Sequence, residues 1–208
     1  MLLSLDASLS HFSWCLQHQN QILAQDHLRL SHYESLPLYL KAELKKLSIS
    51  PLQIDRLAVI YGPGNYTGLR ASLALVRTWH MLYGTPVVCK NRLETLLYVA
   101  SLDTHKEIMV SQSVRMNEFF ILKGKRNTEQ SVEITQALLK IPAAVWSEQA
   151  EGLSVYGDAP EGELPVSNIQ AHWQHLAPVL ATWAAQENPV DSLIDILPLY
   201  TRQAVQKK

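Results

Sequence analysis

The apolar positions of this chain fall into short runs and helical stripes that alternate along its length. "MLLSLD" reads as a strand ending in an acid. "HFSWCLQ" and "QILAQDHLRL" read as two more strands, with "HQNQ" between them as a hairpin turn. From Ser35 to Leu47 the residues Leu36, Leu40, Leu44 and Leu47 form a helical stripe, and Pro37 is tolerated in its first turn. "RLAVIY" is a β-branched run that predicts a buried strand. A glycine-rich loop follows it, and then an apolar helix from about Thr67 to Tyr83 with Gly84 as its stop. "TPVVCK" predicts a strand and "RLETLLYVAS" a helix.

The second half has a similar order of elements. "EIMVSQSV" and "EFFILKGK" read as strands across the turn "RMN". "VEITQALLK" reads as a helix, "LSVYG" as a short strand, "PEGELP" as a surface loop, and "HWQHLAPVLATWAAQ" as a helix with an internal Pro178. No long linker separates the halves. The expectation is α/β, with two packed lobes over 1–100 and 101–208.

Composition narrows the function classes. At 208 residues and 47% hydrophobic, the chain can build a sizeable core. Charged residues make up 18% and the net charge is -1, so any nucleic acid contact must come from a local patch. Cys15 and Cys89 sit in apolar runs and read as buried thiols. The start of the chain lacks the basic segment and apolar run of a secretory signal, and no stretch reaches transmembrane length. A cytoplasmic protein without a membrane is expected.

Three of the 8 glycines fall between Gly62 and Leu69, in "YGPGNYTGLR". A strand, a glycine loop and a helix can direct backbone N–H groups at an anion. No Lys-Ser/Thr pair follows the glycines as in a phosphate-binding P-loop, and the spacing is not the dinucleotide fingerprint. The other reading is a tight turn in which Gly64 and Gly68 permit close packing. Both readings stay open at this level.

The helix after the loop is apolar over more than half of its circumference, through Ala71, Ala74, Leu75, Val76, Trp79, Leu82 and Tyr83. Arg70, Arg77 and His80 gather on the rest. Packing on one sheet face needs an apolar arc of only about 100°. The helix at 35–47 also carries Leu38, Tyr39 and Ala42 outside its main stripe. Either the chain itself covers these residues, or Leu38, Tyr39, Ala42, Ala71, Ala74, Leu75, Trp79 and Leu82 form a partner interface. The eight histidines include no pair four apart, and His172 and His175, three apart, read as surface residues, so no metal site is expected.

The loop "GPGNYTGLR" resembles the "GPGSFTGLR" signature of the TsaB (YeaZ) family. The opening "LLSLDASLSHFSWCL" is similar to that family's first strand, and "SHYESLPLYLKAEL" to its following helix. "SVRMNEFF" and the closing "ILPLYTRQAVQKK" also resemble family segments. Ser113 stands where the family has an acid, Asn117 where it has Gly, and Asn65 where it has Ser. The match is weak over Lys123 to Pro165.

The resemblance implies an actin-like (ASKHA, RNase H-like) two-lobe fold with mixed sheets flanked by helices. It implies a non-catalytic partner subunit in forming threonylcarbamoyladenosine beside the tRNA anticodon. The partners would be a TsaD-like catalytic subunit and a TsaE-like ATPase, with a homodimer as another pairing and tRNA reached only through the complex. In actin-like folds an Asp at the end of the first strand holds a hydrated metal near phosphates. Asp6 and Ser8 are therefore the nucleotide-proximal candidates, although Asp6 also suits an Asx-type cap of the turn. No catalytic residue or resident cofactor is expected, and ATP or ADP enters only at a shared interface. Gly62, Pro63, Gly64, Thr67, Gly68 and Arg70 are expected to build a structural, partner-facing loop. The competing reading is an independent actin-like ATPase or phosphotransferase, which would need a second carboxylate and a phosphate clamp.

Overall fold

Strand β1 (Leu2–Asp6) is buried at every position because side chains on both of its faces are covered. Leu3 and Leu5 enter one apolar cluster. Ser4, on the opposite face, donates its hydroxyl to the Ala177 carbonyl at 2.6 Å. The computed structural model describes residues 1–29, 32–114, 117–128, 131–161, 176–192 and 196–199.

In the first unit, β1 pairs antiparallel with β2 (Phe12–His18), which pairs antiparallel with β3 (Gln21–Leu28). The turn between β2 and β3 has positive φ at Gln19 and Asn20, the geometry of a tight hairpin. On its other side β1 pairs parallel with β4 (Arg56–Gly62), and β4 with β5 (Val87–Asn91), giving the order β3-β2-β1-β4-β5. Helix α1 (Leu36–Lys46) buries Leu36, Leu40 and Leu44, and α2 (Tyr66–Tyr83) buries Leu73, Val76 and Trp79, all in the cluster that holds Leu3 and Leu5. Asn65 caps α2 by accepting from the Gly68 N–H at 3.1 Å, and Gly84 ends it in the left-handed region at φ 67.

The second unit holds most of α3 (Arg92–Ala100), a four-stranded sheet in the order β8-β7-β6-β9, and the short helix α4 (Trp146–Ala150). Its strands are β6 (Ile108–Val114), β7 (Glu118–Thr128), β8 (Ser131–Pro142) and β9 (Ser154–Gly157). Leu93, Leu96 and Leu97 of α3 pack on Ile108, Val110 and Leu122. Trp146 packs with Met109, Phe119 and Ile121, and its indole donates to the Ser111 hydroxyl at 2.9 Å.

Two expectations differ from the structure. The segment "VEITQALLK", read as a helix, lies in β8, paired antiparallel with β7. Val132 and Leu138 pack against the core while Glu133, Ile134, Thr135, Ala137 and Leu139 are exposed, so the alternation along the strand is broken at Ile134, where the register with β7 shifts. The division of the chain also differs from 1–100 and 101–208. The first unit runs from Met1 to Arg92 and regains the chain at helix α5 (Leu176–Ala184), which contacts β1, β2 and β4. Arg56 holds the end of that helix by donating to the carbonyls of Ala184 and Glu187 at 2.9 and 2.6 Å. Pro178 lies in this helix, whose described part begins at Leu176. His172, His175, Arg115, Met116 and Tyr200, and part of "PEGELP", lie outside the described residues. Among the described residues no helix is long and apolar enough to cross a membrane.

Candidate functional site

Asp6 ends β1 and is 3% exposed. Its Oδ1 accepts from the Ser8 N–H at 2.9 Å and from the Ser8 hydroxyl at 2.5 Å. Its Oδ2 accepts from the Arg92 guanidinium at 2.9 Å, and the same Arg92 nitrogen donates to the Ser8 hydroxyl at 2.8 Å. The Asx-type turn and the buried ion pair use both carboxylate oxygens. A hydrated cation does not fit there, because its positive charge would have to displace Arg92 from a site closed to water. Tyr33 stands near this group and donates to the Leu9 carbonyl at 2.9 Å; burial, and then the Asp6 charge, raise its phenol above the ordinary 10.0.

The glycine loop approaches the same turn from the other side. The Asn65 N–H donates to the Ser8 carbonyl at 2.6 Å. A Cβ on Gly64 would lie 2.2 Å from that carbonyl oxygen, one on Gly68 2.1 Å from the Ala7 oxygen, and one on Gly62 2.1 Å from the Leu199 oxygen. The approach made by this loop is to the chain's own backbone. Pro63 is buried beside it, while Thr67 is exposed in the first turn of α2. Arg70, also exposed, donates to the Tyr66 hydroxyl one turn earlier and lies 5.1 Å from the centre of that ring.

Between α1 and α2 runs a groove of about 640 Å³. Leu40, Leu44, Leu75 and Trp79 are among its lining, with Leu82 and Tyr83 toward one end of α2. Of the residues expected at a partner interface, Leu38 is 71% and Leu82 68% exposed; Ala42 and Ala74 are exposed as well. Tyr39, Ala71 and Leu75 are half-buried. Tyr39 receives the Trp14 indole N–H at 3.1 Å and donates to Asp26 at 2.7 Å. Trp79 differs from the expectation: it is buried in the main core cluster, with its indole against the Tyr83 ring. Among the described residues its Nε1 has no hydrogen-bond acceptor.

Arg92 has no assigned role in the sequence reading. One signal was there: an Arg at the first position of a helix faces the positive end of the dipole and needs a carboxylate elsewhere. Among the described residues, no group of three or more His, Cys, Asp and Glu could hold a metal ion.

A family model described as TsaD, tRNA N6-adenosine threonylcarbamoyltransferase, matches residues 26–187. Among solved structures, an uncharacterized Pseudomonas aeruginosa protein described as similar to the peptidase YeaZ has a TM-score of 0.72 at 20% identity, covering 97% of this chain and 99% of that one. YeaZ from Pseudomonas aeruginosa has a TM-score of 0.69 at 19% identity, covering 96% and 98%. No curated protein matches the sequence. At this identity the likeness is one of fold, and the fold is the actin-like one, with mixed sheets flanked by helices.

Proposed function

Because the chain belongs to the family described as TsaD, tRNA N6-adenosine threonylcarbamoyltransferase, we propose that it is a non-catalytic, TsaB-type subunit of a complex that forms threonylcarbamoyladenosine in tRNA. It supports a catalytic TsaD-type subunit, beside a TsaE-type ATPase, and docks through the exposed apolar residues of α1 and α2. The observation that carries this reading is the closed Asp6–Arg92–Ser8 network. Phosphoryl transfer needs an open carboxylate for a hydrated metal and donors free to follow the phosphate. Asp6 is already bound at both oxygens, and the glycine loop is bonded to the Ser8 carbonyl. Nucleotide enters only at a surface shared with the partner, and tRNA is reached through the complex.

Reconstitution tests the reading. The chain alone is expected neither to hydrolyse ATP nor to modify tRNA. Added to a TsaD-type and a TsaE-type subunit, it raises threonylcarbamoyladenosine formation, and Asp6→Asn in a folded chain leaves that stimulation in place. ATP turnover by the isolated chain that Asp6→Asn removes would overturn it in favour of an independent ATPase.

A further inference from the structure

Leu2 has Gln17 beside it on one neighbouring strand and Arg56 on the other. Cross-strand partners project to one face of a sheet, here the face that carries α5, since Ser4 on that face reaches the Ala177 carbonyl. The Gln17 and Arg56 backbones are two strand spacings apart, about 10 Å, so their long side chains can converge on one small molecule. A pocket of about 220 Å³ opens there, with Leu2, Gln17, His18, Asp55, Arg56 and Ala185 among its lining. It lies at the end of β1 away from Asp6, about 13 Å along the strand. The register of β2 with β3 shifts between Leu16 and Gln17, a bulge of the kind that re-aims a side chain beside a site.

The polar groups of this pocket are richer in donors than in acceptors. Gln17 is 4% exposed, yet among the described residues its amide has no hydrogen-bond partner. A buried amide is normally paired. Arg56 uses its Nη1 on the Ala184 and Glu187 carbonyls, and among the described residues its Nη2 and Nε have no partner. Asp55, the one carboxylate of the lining, takes the Met1 amine at 2.6 Å. The Arg56 charge is thus left for an anion, and its parallel Nε–H and Nη2–H groups match the two oxygens of a carboxylate.

We propose that this pocket binds a small monocarboxylate, with its two oxygens on the Nε and Nη2 edge of Arg56 and one of them also accepting from the Gln17 amide. The site is separate from the reading of the chain as a docking subunit and does not depend on it. A single cation favours a monoanion over a phosphate dianion, and Leu2 and Ala185 offer carbon to an apolar tail. A volume of about 220 Å³ is below the roughly 300 to 1,000 Å³ of drug-sized sites, which limits that tail to a few carbons.

The test titrates the full chain, isotopically labelled on nitrogen, with sodium propionate, sodium phosphate and sodium chloride at matched ionic strength. Magnetic resonance follows the side-chain N–H signals of Gln17 and Arg56. Propionate is expected to shift both signals to saturation, and chloride neither. Gln17→Leu is expected to weaken propionate binding about tenfold. Its urea unfolding should show unchanged or higher stability, because the amide gives up no bond to the described residues. Arg56→Lys keeps the charge but loses the paired N–H groups, and should also weaken binding about tenfold. Propionate binding unchanged in both variants would overturn the site, as would a Gln17→Leu chain that is destabilised but binds as before. Shifts that fail to saturate, or that chloride reproduces (an adventitious ion only), would overturn it as well. Phosphate bound as tightly as propionate would overturn the carboxylate assignment.

Discussion

Arg92 donates to the carboxylate of Asp6 at 2.9 Å, and their side chains are 1% and 4% exposed. The acid that could have opened a metal site is instead the anchor of the first helix beyond the sheet. A buried charge left without its partner is costly, whereas the intact pair repays its own desolvation only through good geometry and further hydrogen bonds.

Arg92→Ala should therefore lower stability by about 3 to 5 kcal/mol. Asp6→Ala should do the same, because Arg92 then keeps its charge in a dry site. The two losses should not add, since either change breaks one network. Urea unfolding of the two single variants and the double variant measures this. A double variant as unstable as the sum of the two would place the residues in separate networks.

The glycine loop makes a graded prediction. At Gly64 and Gly68 an added methyl meets backbone oxygen, which cannot swing aside. At Gly84 nothing lies within 4 Å, and only the left-handed φ resists a side chain. Gly68→Ala should cost well over about 2 kcal/mol, and Gly84→Ala only about 1 kcal/mol. Thermal unfolding of the two variants side by side decides whether close approach or conformation governs the loop.

The interface substitutions separate into two kinds. Ala74→Glu and Leu82→Glu put charge on exposed positions and should abolish pairing with the monomer intact. Trp79→Glu buries a carboxylate in the core and should unfold the chain. Trp79→Phe should be milder than an ordinary buried Trp truncation, because the indole N–H it removes has no acceptor among the described residues. Near-ultraviolet dichroism and sedimentation of the four variants check the order. A folded Trp79→Glu monomer would remove Trp79 from the core.

Alkaline pH should destabilise the protein. Burial raises the Cys15 thiol from 9.0 to about 11, with the Ser4 hydroxyl pulling the other way. Burial raises Cys89 to about 12, against the opposing pull of Arg77. A raised folded pKa means the native thiol keeps a proton that the unfolded thiol has lost. This stability is complete below pH 9 and disappears as pH rises toward 11 to 12. Cys15 alone accounts for about 2 to 3 kcal/mol of the loss. Urea unfolding at several pH values under reducing conditions should show the decline, and Cys15→Ala should flatten part of it.

The sequence by itself determined the elements whose signals are local. Short apolar runs marked β1 to β7, helical stripes marked α1 and α2, and Gly84 marked the end of α2, while the Asn65 cap came from the structure. Turn chemistry and side-chain periodicity depend on neighbours a few residues away, so they can be read without knowing the fold. Segment 132–140 could not be read this way. Its apolar residues suit either period, and pairing with β7 decided for a strand. The candidate site divided along the same line. The glycines, Asp6 and the apolar excess of α1 and α2 were visible in the chain. Only the tertiary structure brought Arg92 to Asp6 across 86 positions and returned α5 to the first sheet. It also put Trp79 in the core while leaving Ala74 and Leu82 outside. Each of these is a long-range choice. A helical wheel gives the width of an apolar arc, but what covers each part of it depends on which distant segments pack there.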